Sequence, residues 1–337
     1  MAKLRTRQAI SAAIRDEMLR DPNVVLLGED VGDAAGVFKT SEGLLEEFGP
    51  TRVRDTPISE MGFLGAAVGA AATGLRPIVE IMFIEFLGVA LDQLVTEAAK
   101  LHYLSGGGYK VPLVVRASAG AGLGFGAQHS QSFENWMFGA PGLKLAVVSG
   151  PRTAYGLLRA AVADDNPVVI LEPRVLYADR EEVETGGSGI LQLGKAERLA
   201  EGDDVTIVAL GSMTKVARVA AEAGRWSADV IDLLSLIPWD RQTVLDSVRK
   251  TGRLVIVEES PYTGGWGTEI ASYVAAEAFG GLKAPITRIS CPDVPVPFAE
   301  DLERRFLPSP EYVVAQVTEL LETGKKPQPW WVQEGLA

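Results

Sequence analysis

Two histidines, one cysteine and a few well-placed carboxylates limit the chemistry open to this 337-residue chain. His129 follows Ala119-Gly-Ala-Gly-Leu-Gly-Phe-Gly-Ala-Gln, a glycine-rich loop leaving a strand expected to end near Arg116. Such a loop lets backbone approach a ligand closely. Sites of parallel α/β sheets lie beyond the carboxyl ends of the strands, where an imidazole can shuttle protons near neutrality. A loop histidine that merely satisfies backbone groups is the competing reading. Glu60 lies in Asp55-Thr-Pro-Ile-Ser-Glu-Met-Gly-Phe-Leu-Gly-Ala-Ala-Val-Gly, which becomes a helix of small residues after Pro57. Gly62, Gly65, Ala66 and Gly69 stand at close-packing spacing, so another helix or subunit can approach, and Glu60 faces whatever fills that interface. The alternative is a carboxylate that only favours the helix dipole.

Other chemistries lack their residues. His102 shares a helical pattern with Leu94, Ala98 and Leu101 and reads as a packing or helix-surface side chain. Two histidines and one cysteine cannot build a zinc site unless carboxylates make up the deficit. Gly122-x-Gly124-x-x-Ala127 has the spacing of a dinucleotide fingerprint, but the polar Gln128-His-Ser-Gln-Ser-Phe-Glu-Asn-Trp stands where an apolar crossover helix is required. No phosphate loop and no Gly-x-Ser-x-Gly elbow occurs. Cys291 precedes a proline and reads as a small packed side chain. A net charge of -12 opposes nucleic acid and anionic membrane surfaces as partners. No stretch is long and apolar enough to span a bilayer, and no signal-peptide core follows the charged first residues. The single cysteine excludes internal disulfides and suits a reducing cytoplasm.

Short β-branched runs alternate with helical patterns throughout, which predicts an α/β architecture with covered parallel sheets. Strands are expected at 24–27, 77–82, 112–116, 144–147, 168–171, 205–210, 229–233, 254–258 and 286–289. Helices over 87–104 and 152–163 are long enough for right-handed crossovers. A polar, glycine-rich break between Arg174 and Asp203 predicts a boundary: a first domain over 1–180, a linker over 181–203 and a second domain over 204–337. The segment Cys291-Pro-Asp-Val-Pro-Val-Pro-Phe is too proline-rich for a helix or central strand and should run extended on the surface.

Several segments carry a family resemblance by their joint order: Asp55-Thr-Pro-Ile-Ser-Glu-Met-Gly-Phe, Glu80-Ile-Met-Phe-Ile-Glu-Phe, Gln128-His-Ser-Gln-Ser, Pro141-Gly-Leu-Lys, Asp164-Asp-Asn-Pro-Val-Val, Thr263-Gly-Gly-Trp-Gly-Thr-Glu-Ile and Asp293-Val-Pro-Val-Pro-Phe. Together they resemble the beta subunits of the thiamine-diphosphate-dependent decarboxylating components of pyruvate, branched-chain 2-oxo acid and acetoin dehydrogenases. The resemblance covers nearly the whole chain. It implies a pyrimidine-binding thiamine-diphosphate fold followed by a transketolase C-terminal-like α/β domain, in an α2β2 heterotetramer that shares its cofactor between alpha and beta chains.

The same resemblance implies roles. Glu60 matches the glutamate that hydrogen-bonds the cofactor's aminopyrimidine, Phe86 the aromatic that packs on it, and Ile58 and Met82 its apolar wall. His129 matches the active-site histidine that assists acyl transfer to a lipoyl group. Leu113, Ala161, Val162, Asp164 and Asn166 match positions that hold potassium in many members; an ordinary helix end before Pro167 is the alternative. The Gly-Asp-Gly segment that usually holds magnesium and the diphosphate is missing here. An alpha subunit is therefore expected to supply it, and the chain alone is expected to be inactive. The implied activity is an oxidoreductase of the pyruvate dehydrogenase (acetyl-transferring) type, taking a small 2-oxo acid and acylating the lipoyl domain of a dihydrolipoyl acyltransferase core. An acetoin dehydrogenase beta subunit, the C-terminal half of a split transketolase and a noncatalytic scaffold are the alternatives.

Overall fold

The computed structural model describes Met1–Gly335, which divide into two compact units. The first comprises Met1–Gly120, Trp136–Leu193 and Leu236–Pro238; the second comprises Ala121–Asn135, Gly194–Ser235 and Trp239 onwards.

In the first unit the strands are β1 (Ala2–Arg5), β2 (Val24–Gly28), β3 (Val53–Asp55), β4 (Arg76–Ile81), β5 (Val114–Ala119), β6 (Lys144–Val147), β7 (Val168–Pro173) and β8 (Arg180–Val183). Six of them form a parallel sheet in the order β6-β7-β5-β4-β2-β3. Its inner strands β5 and β7 are buried along their whole length, as parallel strands covered on both faces must be. Helix Thr6–Arg20 turns Ala9, Ile10, Ala13 and Ile14 inward, and its Glu17 receives a 2.7 Å bond from Arg159 on helix Pro151–Ala163. The helix expected over 87–104 begins earlier, at Ile84, and its middle, Gln93–Ala98, is a π-helical stretch.

From Gly194 onwards the chain carries β9 (Glu197–Ala200), β10 (Val205–Ala209), β11 (Ala228–Asp232), β12 (Ser235–Ile237), β13 (Leu254–Pro261) and β14 (Thr287–Cys291). Five of these form a sheet in the order β14-β13-β10-β11-β9, parallel except for the edge strand β9. Val205, Ile207, Val230, Val255 and Val257 pack beneath Val313, Val317 and Leu320 of helix Pro310–Thr323. Leu236–Pro238 belongs to the first unit, where β12 flanks β6.

Two expectations shift in place. The stretch expected at 112–116 is a strand only from Val114, since Pro112 brings no N–H to a ladder, and it then continues through Ser118 to Ala119. Residues 181–203, expected as a plain linker, hold most of β8 and all of β9, both edge strands. β8 pairs antiparallel with β1, and β9 with β11.

Candidate active site

Glu60 is the first residue of helix Glu60–Ala72, directly after Thr56-Pro57-Ile58-Ser59. The helix buries Phe63, Leu64, Ala67, Val68 and Ala71 and leaves Met61, Gly62, Ala66 and Gly69 exposed. Its small residues therefore do two things. Gly65 admits this chain's own Gln93, since a Cβ there would lie 2.7 Å from Gln93 Oε1; Gly62, Ala66 and Gly69 form an open face. Glu60 itself is only 8% exposed, yet among the described residues no group donates a hydrogen bond to its carboxylate. Carboxylates are seldom buried unless paired, so a site of this kind fits a hydrogen-bonding ligand.

A second carboxylate lies close enough to feel its charge. Glu29 directly follows β2, at the carboxyl end of the sheet, and its pKa is raised by burial and by the charges of Glu60 and Asp30. Its Oε1 is buried without a hydrogen-bond partner. Sequence reasoning passed over Glu29; the signal was an acidic pair, Glu29-Asp30, placed where an apolar strand ends.

The segment Met82–Phe86 leaves β4 at the same end of the sheet. Phe86, half-buried, lies edge-on to Phe83 with centroids 5.6 Å apart, and the Arg174 guanidinium stands 4.9 Å above the Phe83 ring. The Met82 carbonyl accepts a 2.5 Å bond from Ser118 Oγ, which in turn accepts one from Arg174. Below them Arg116, 1% exposed, donates twice to Glu172 and once to Glu80, at 2.7–2.9 Å. Burial works against its charge, but Glu172 and Glu80 outweigh burial and hold it protonated. Thr40 completes Glu80, and Tyr177 completes Glu172. Three charges in mid-strand were invisible as a unit in sequence, since strands 36 and 56 residues apart bring them together. Ile58, expected as an apolar wall with Met82, is 87% exposed and forms no wall with other described residues.

His129 lies in the second unit, half-buried, with its backbone N–H on Gly126 O. The preceding loop adopts left-handed φ at Gly122, Gly124 and Gly126. A Cβ on Gly126 would also lie 3.1 Å from the Phe298 ring. Ala127, Ser130, Ser132 and Phe133 line a cavity of about 720 Å³ together with Glu259, Thr263, Val294–Val296 and Phe306. The proline-rich segment, expected to run extended on the surface, instead starts buried at Cys291 and Pro292 and bends at Asp293, Val294 and Phe298, and its residues Asp293 to Val296 wall this cavity. Glu134, next to Phe133 in the chain, has its pKa raised to about 7 by burial, with Glu259 and Glu258 adding to the effect.

The five residues expected to hold potassium meet at the carboxyl end of helix Pro151–Ala163. Two cationic side chains are already there. Arg76 donates to the carbonyls of Val162 (2.9 Å) and Asp164 (3.1 Å), and Lys144 pairs with the Asp164 carboxylate. Burial opposes it, but Lys144 and Asn166 hold the Asp164 carboxyl below its ordinary range. The Ala161 carbonyl accepts from Asp164 N and that of Leu113 from Val168 N. Each carbonyl keeps a second lone pair. Among the described residues no three His, Cys, Asp or Glu side chains are grouped to hold a metal ion, and no helix is long and apolar enough to cross a membrane.

Comparison with known proteins agrees with this layout. Residues 2–180 match the family model of the transketolase pyrimidine-binding domain, and residues 194–313 that of the transketolase C-terminal domain. The chain is 45% identical to the mitochondrial pyruvate dehydrogenase E1 component subunit beta-2 of Oryza sativa, over 93% of this chain and 85% of that protein. It is 44% identical to the pyruvate dehydrogenase E1 component subunit beta of Rickettsia bellii, over 93% and 96% of the two chains. Identity is also 44% to the acetoin:2,6-dichlorophenolindophenol oxidoreductase subunit beta of Bacillus subtilis, over 93% and 96%. Among solved structures, an inactive beta4 tetramer of a split-gene transketolase superposes with a TM-score of 0.76 at 27% identity, covering 94% of this chain and 98% of that one.

Proposed function

The chain belongs to the thiamine-diphosphate-dependent family of 2-oxo acid dehydrogenase E1 beta subunits, and from that premise we propose that it acts as the beta half of an α2β2 enzyme that oxidatively decarboxylates pyruvate or a related 2-oxo acid. The observation that carries this reading is the Glu60 carboxylate, on a residue 8% exposed at a helix start, with no donor from the described residues and its oxygens still open to a ligand. Residues 1–180 serve as the pyrimidine-binding domain, 181–203 as its connection and 204–337 as the C-terminal domain.

Thiamine diphosphate, when bound, supplies a thiazolium carbon that can attack a ketone and accept the electron pair released with carbon dioxide. Glu60 would hydrogen-bond a ring nitrogen of the cofactor's aminopyrimidine and so could assist its proton transfers. Phe86 covers the apolar face of that ring, with Met82 fixed beside it through its carbonyl. Ile58 completes the wall only when a partner surface lies over it. His129 would offer an imidazole N–H to stabilise negative charge on the substrate and to assist acyl transfer to the lipoyl arm of an acyltransferase core. Magnesium and the diphosphate are held by the alpha subunit. Leu113, Ala161, Val162, Asp164 and Asn166 would hold potassium through the lone pairs that Arg76 and the backbone leave open.

The test is reconstitution with the alpha chain, followed by turnover of pyruvate, a branched 2-oxo acid and acetoin with an artificial electron acceptor. Turnover of a 2-oxo acid by the mixture and by neither chain alone is expected. The identity shared with the Bacillus subtilis acetoin oxidoreductase subunit keeps a second reading specific: turnover of acetoin alone would replace 2-oxo acid decarboxylation by carbon–carbon cleavage of acetoin. No turnover of any substrate, with no ultraviolet difference signal from thiamine diphosphate in the mixture, would leave a scaffold.

A further inference from the structure

The loop before His129 is held by two carboxylates distant in sequence. Between Gly120 and Gly126, four glycines take left-handed φ, from +71° to +100°. That composition lets the chain turn sharply, but it leaves few side chains to fix the loop and a high conformational entropy to overcome. Its N–H groups are gripped instead. Glu303 Oε1 accepts from Gly122 N at 2.8 Å, and Oε2 accepts from Gly124 N at 2.9 Å. Glu259 Oε1 accepts from Ala121 N at 2.6 Å, and its Oε2 accepts from Ser212. Ala121 also packs into a small apolar cluster with Cys291, Val296 and Phe306, the last on the same short helix as Glu303.

Glu303 is 3% exposed and pairs with no lysine or arginine among the described residues. A carboxylate buried without a counter-ion is unfavourable unless strong donors surround it, and here both of its oxygens are satisfied by the loop's own amides. Its neighbours Arg304 and Arg305 point their charge elsewhere, to Glu300, Asp301 and Glu334. We infer that Glu303 is a positioning residue for His129: its carboxylate clamps Gly122 and Gly124 and thereby sets where the loop presents the imidazole. The inference rests on the reading of His129 given above. A displacement of about 1 Å in a catalytic group costs on the order of a hundredfold in rate, so a clamp five to seven residues away in the chain can matter as much as a direct contact.

The test uses the β chain assembled with its alpha partner, in four forms: wild type, Glu303→Gln, His129→Asn and the double variant, with Glu303→Asp as a fifth. Glu303→Gln keeps the shape but turns one acceptor into a donor facing an N–H. It should lower kcat by roughly 10- to 100-fold with KM little changed, and should speed amide exchange in peptides spanning 121–128. Glu303→Asp retains both oxygens and the charge and should recover part of that loss. The double variant should match His129→Asn within about twofold, because the clamp acts only through the imidazole. Losses that multiply, or loop exchange unchanged in Glu303→Gln, would overturn the inference. Should Glu303→Gln not assemble, the partial rate and exchange expected of Glu303→Asp decide in its place. If His129→Asn alone left the rate intact, the reading of His129 would fail first; if His129→Asn were crippled and Glu303→Gln normal, only the clamp would fall.

Discussion

Glu60 and His129 are presented by opposite kinds of backbone. Glu60 opens a thirteen-residue helix and shares its buried flank with Phe63, Leu64, Ala67, Val68 and Ala71, so its Cα is fixed by regular hydrogen bonds and apolar packing. His129 ends a loop whose glycines give it shape without stiffness, and its placement comes from distant carboxylates bonded to backbone amides. In the proposed function, the carboxylate that would share a proton thus sits on a rigid element, while the group that would meet an arriving acyl acceptor sits on a tied loop. The comparison teaches that rigidity can be supplied either locally, by a helix, or from afar, by a clamp.

The comparison can be sharpened experimentally, beginning with the largest effect. Glu60→Gln in the assembled enzyme should lower turnover by about 10²–10⁴-fold with the fold intact by circular dichroism, since the helix start does not depend on that carboxylate; turnover near wild type would remove Glu60 from the chemistry. On the rigid side, Arg116→Met should destabilise the first unit by about 3–5 kcal/mol in denaturant unfolding, because it leaves Glu80 and Glu172 buried without their cation. A loss below about 1 kcal/mol would mean that the ion triad is not what supports the floor under Met82–Phe86.

The second unit should answer to pH instead. Burial raises both Glu134 and Glu258 to about 7, above their ordinary range. A carboxyl whose folded pKa lies above its unfolded value binds more protons folded, so the stability it contributes is complete below about pH 4.5 and is lost as pH rises through 7. Unfolding free energy should fall by roughly 1–3 kcal/mol between those limits, and Glu134→Gln should flatten part of that slope. A slope unchanged in that variant would place the titration elsewhere. The smallest effects concern single backbone positions and ions. Gly126→Ala, forced to a left-handed φ against Phe298, should cost about 1–2 kcal/mol in thermal unfolding. Exchanging potassium for sodium should shift the melting temperature by only a few degrees, about 1 kcal/mol, since Arg76 already holds two of the carbonyls.

Much of the fold was legible because β-branched runs such as Val168-Val-Ile-Leu lie between clear breakers, and β6 falls on the expected residues. Ends were less legible: Ala117-Ser-Ala119 carries no strand signal of its own and is strand because β4 and β7 flank it. β1 and β8 pair across nearly the whole first unit, a partnership that no local pattern announces. The π-helical stretch Gln93–Ala98 likewise sits in an unbroken helical pattern. Of the site, the helix start at Glu60 and the glycine loop of His129 could be anticipated from local spacing. Glu303 and Glu259 could not, because their bonds to that loop close 138 to 181 residues of chain. The exposure of Ile58 could not be read either, since an apolar residue beside a proline looks the same whether its cover comes from its own chain or from another.

Hydrogen exchange at the thiazolium C2 of thiamine diphosphate, followed in the assembled enzyme by proton NMR after acid quench, isolates the step assigned to Glu60 from every later one. Wild type should exchange that proton orders of magnitude faster than the free cofactor, and Glu60→Gln should bring the rate back toward the free value while still binding the cofactor. Exchange equally fast in both would contradict the account, because the buried carboxylate would then have no part in making the cofactor reactive.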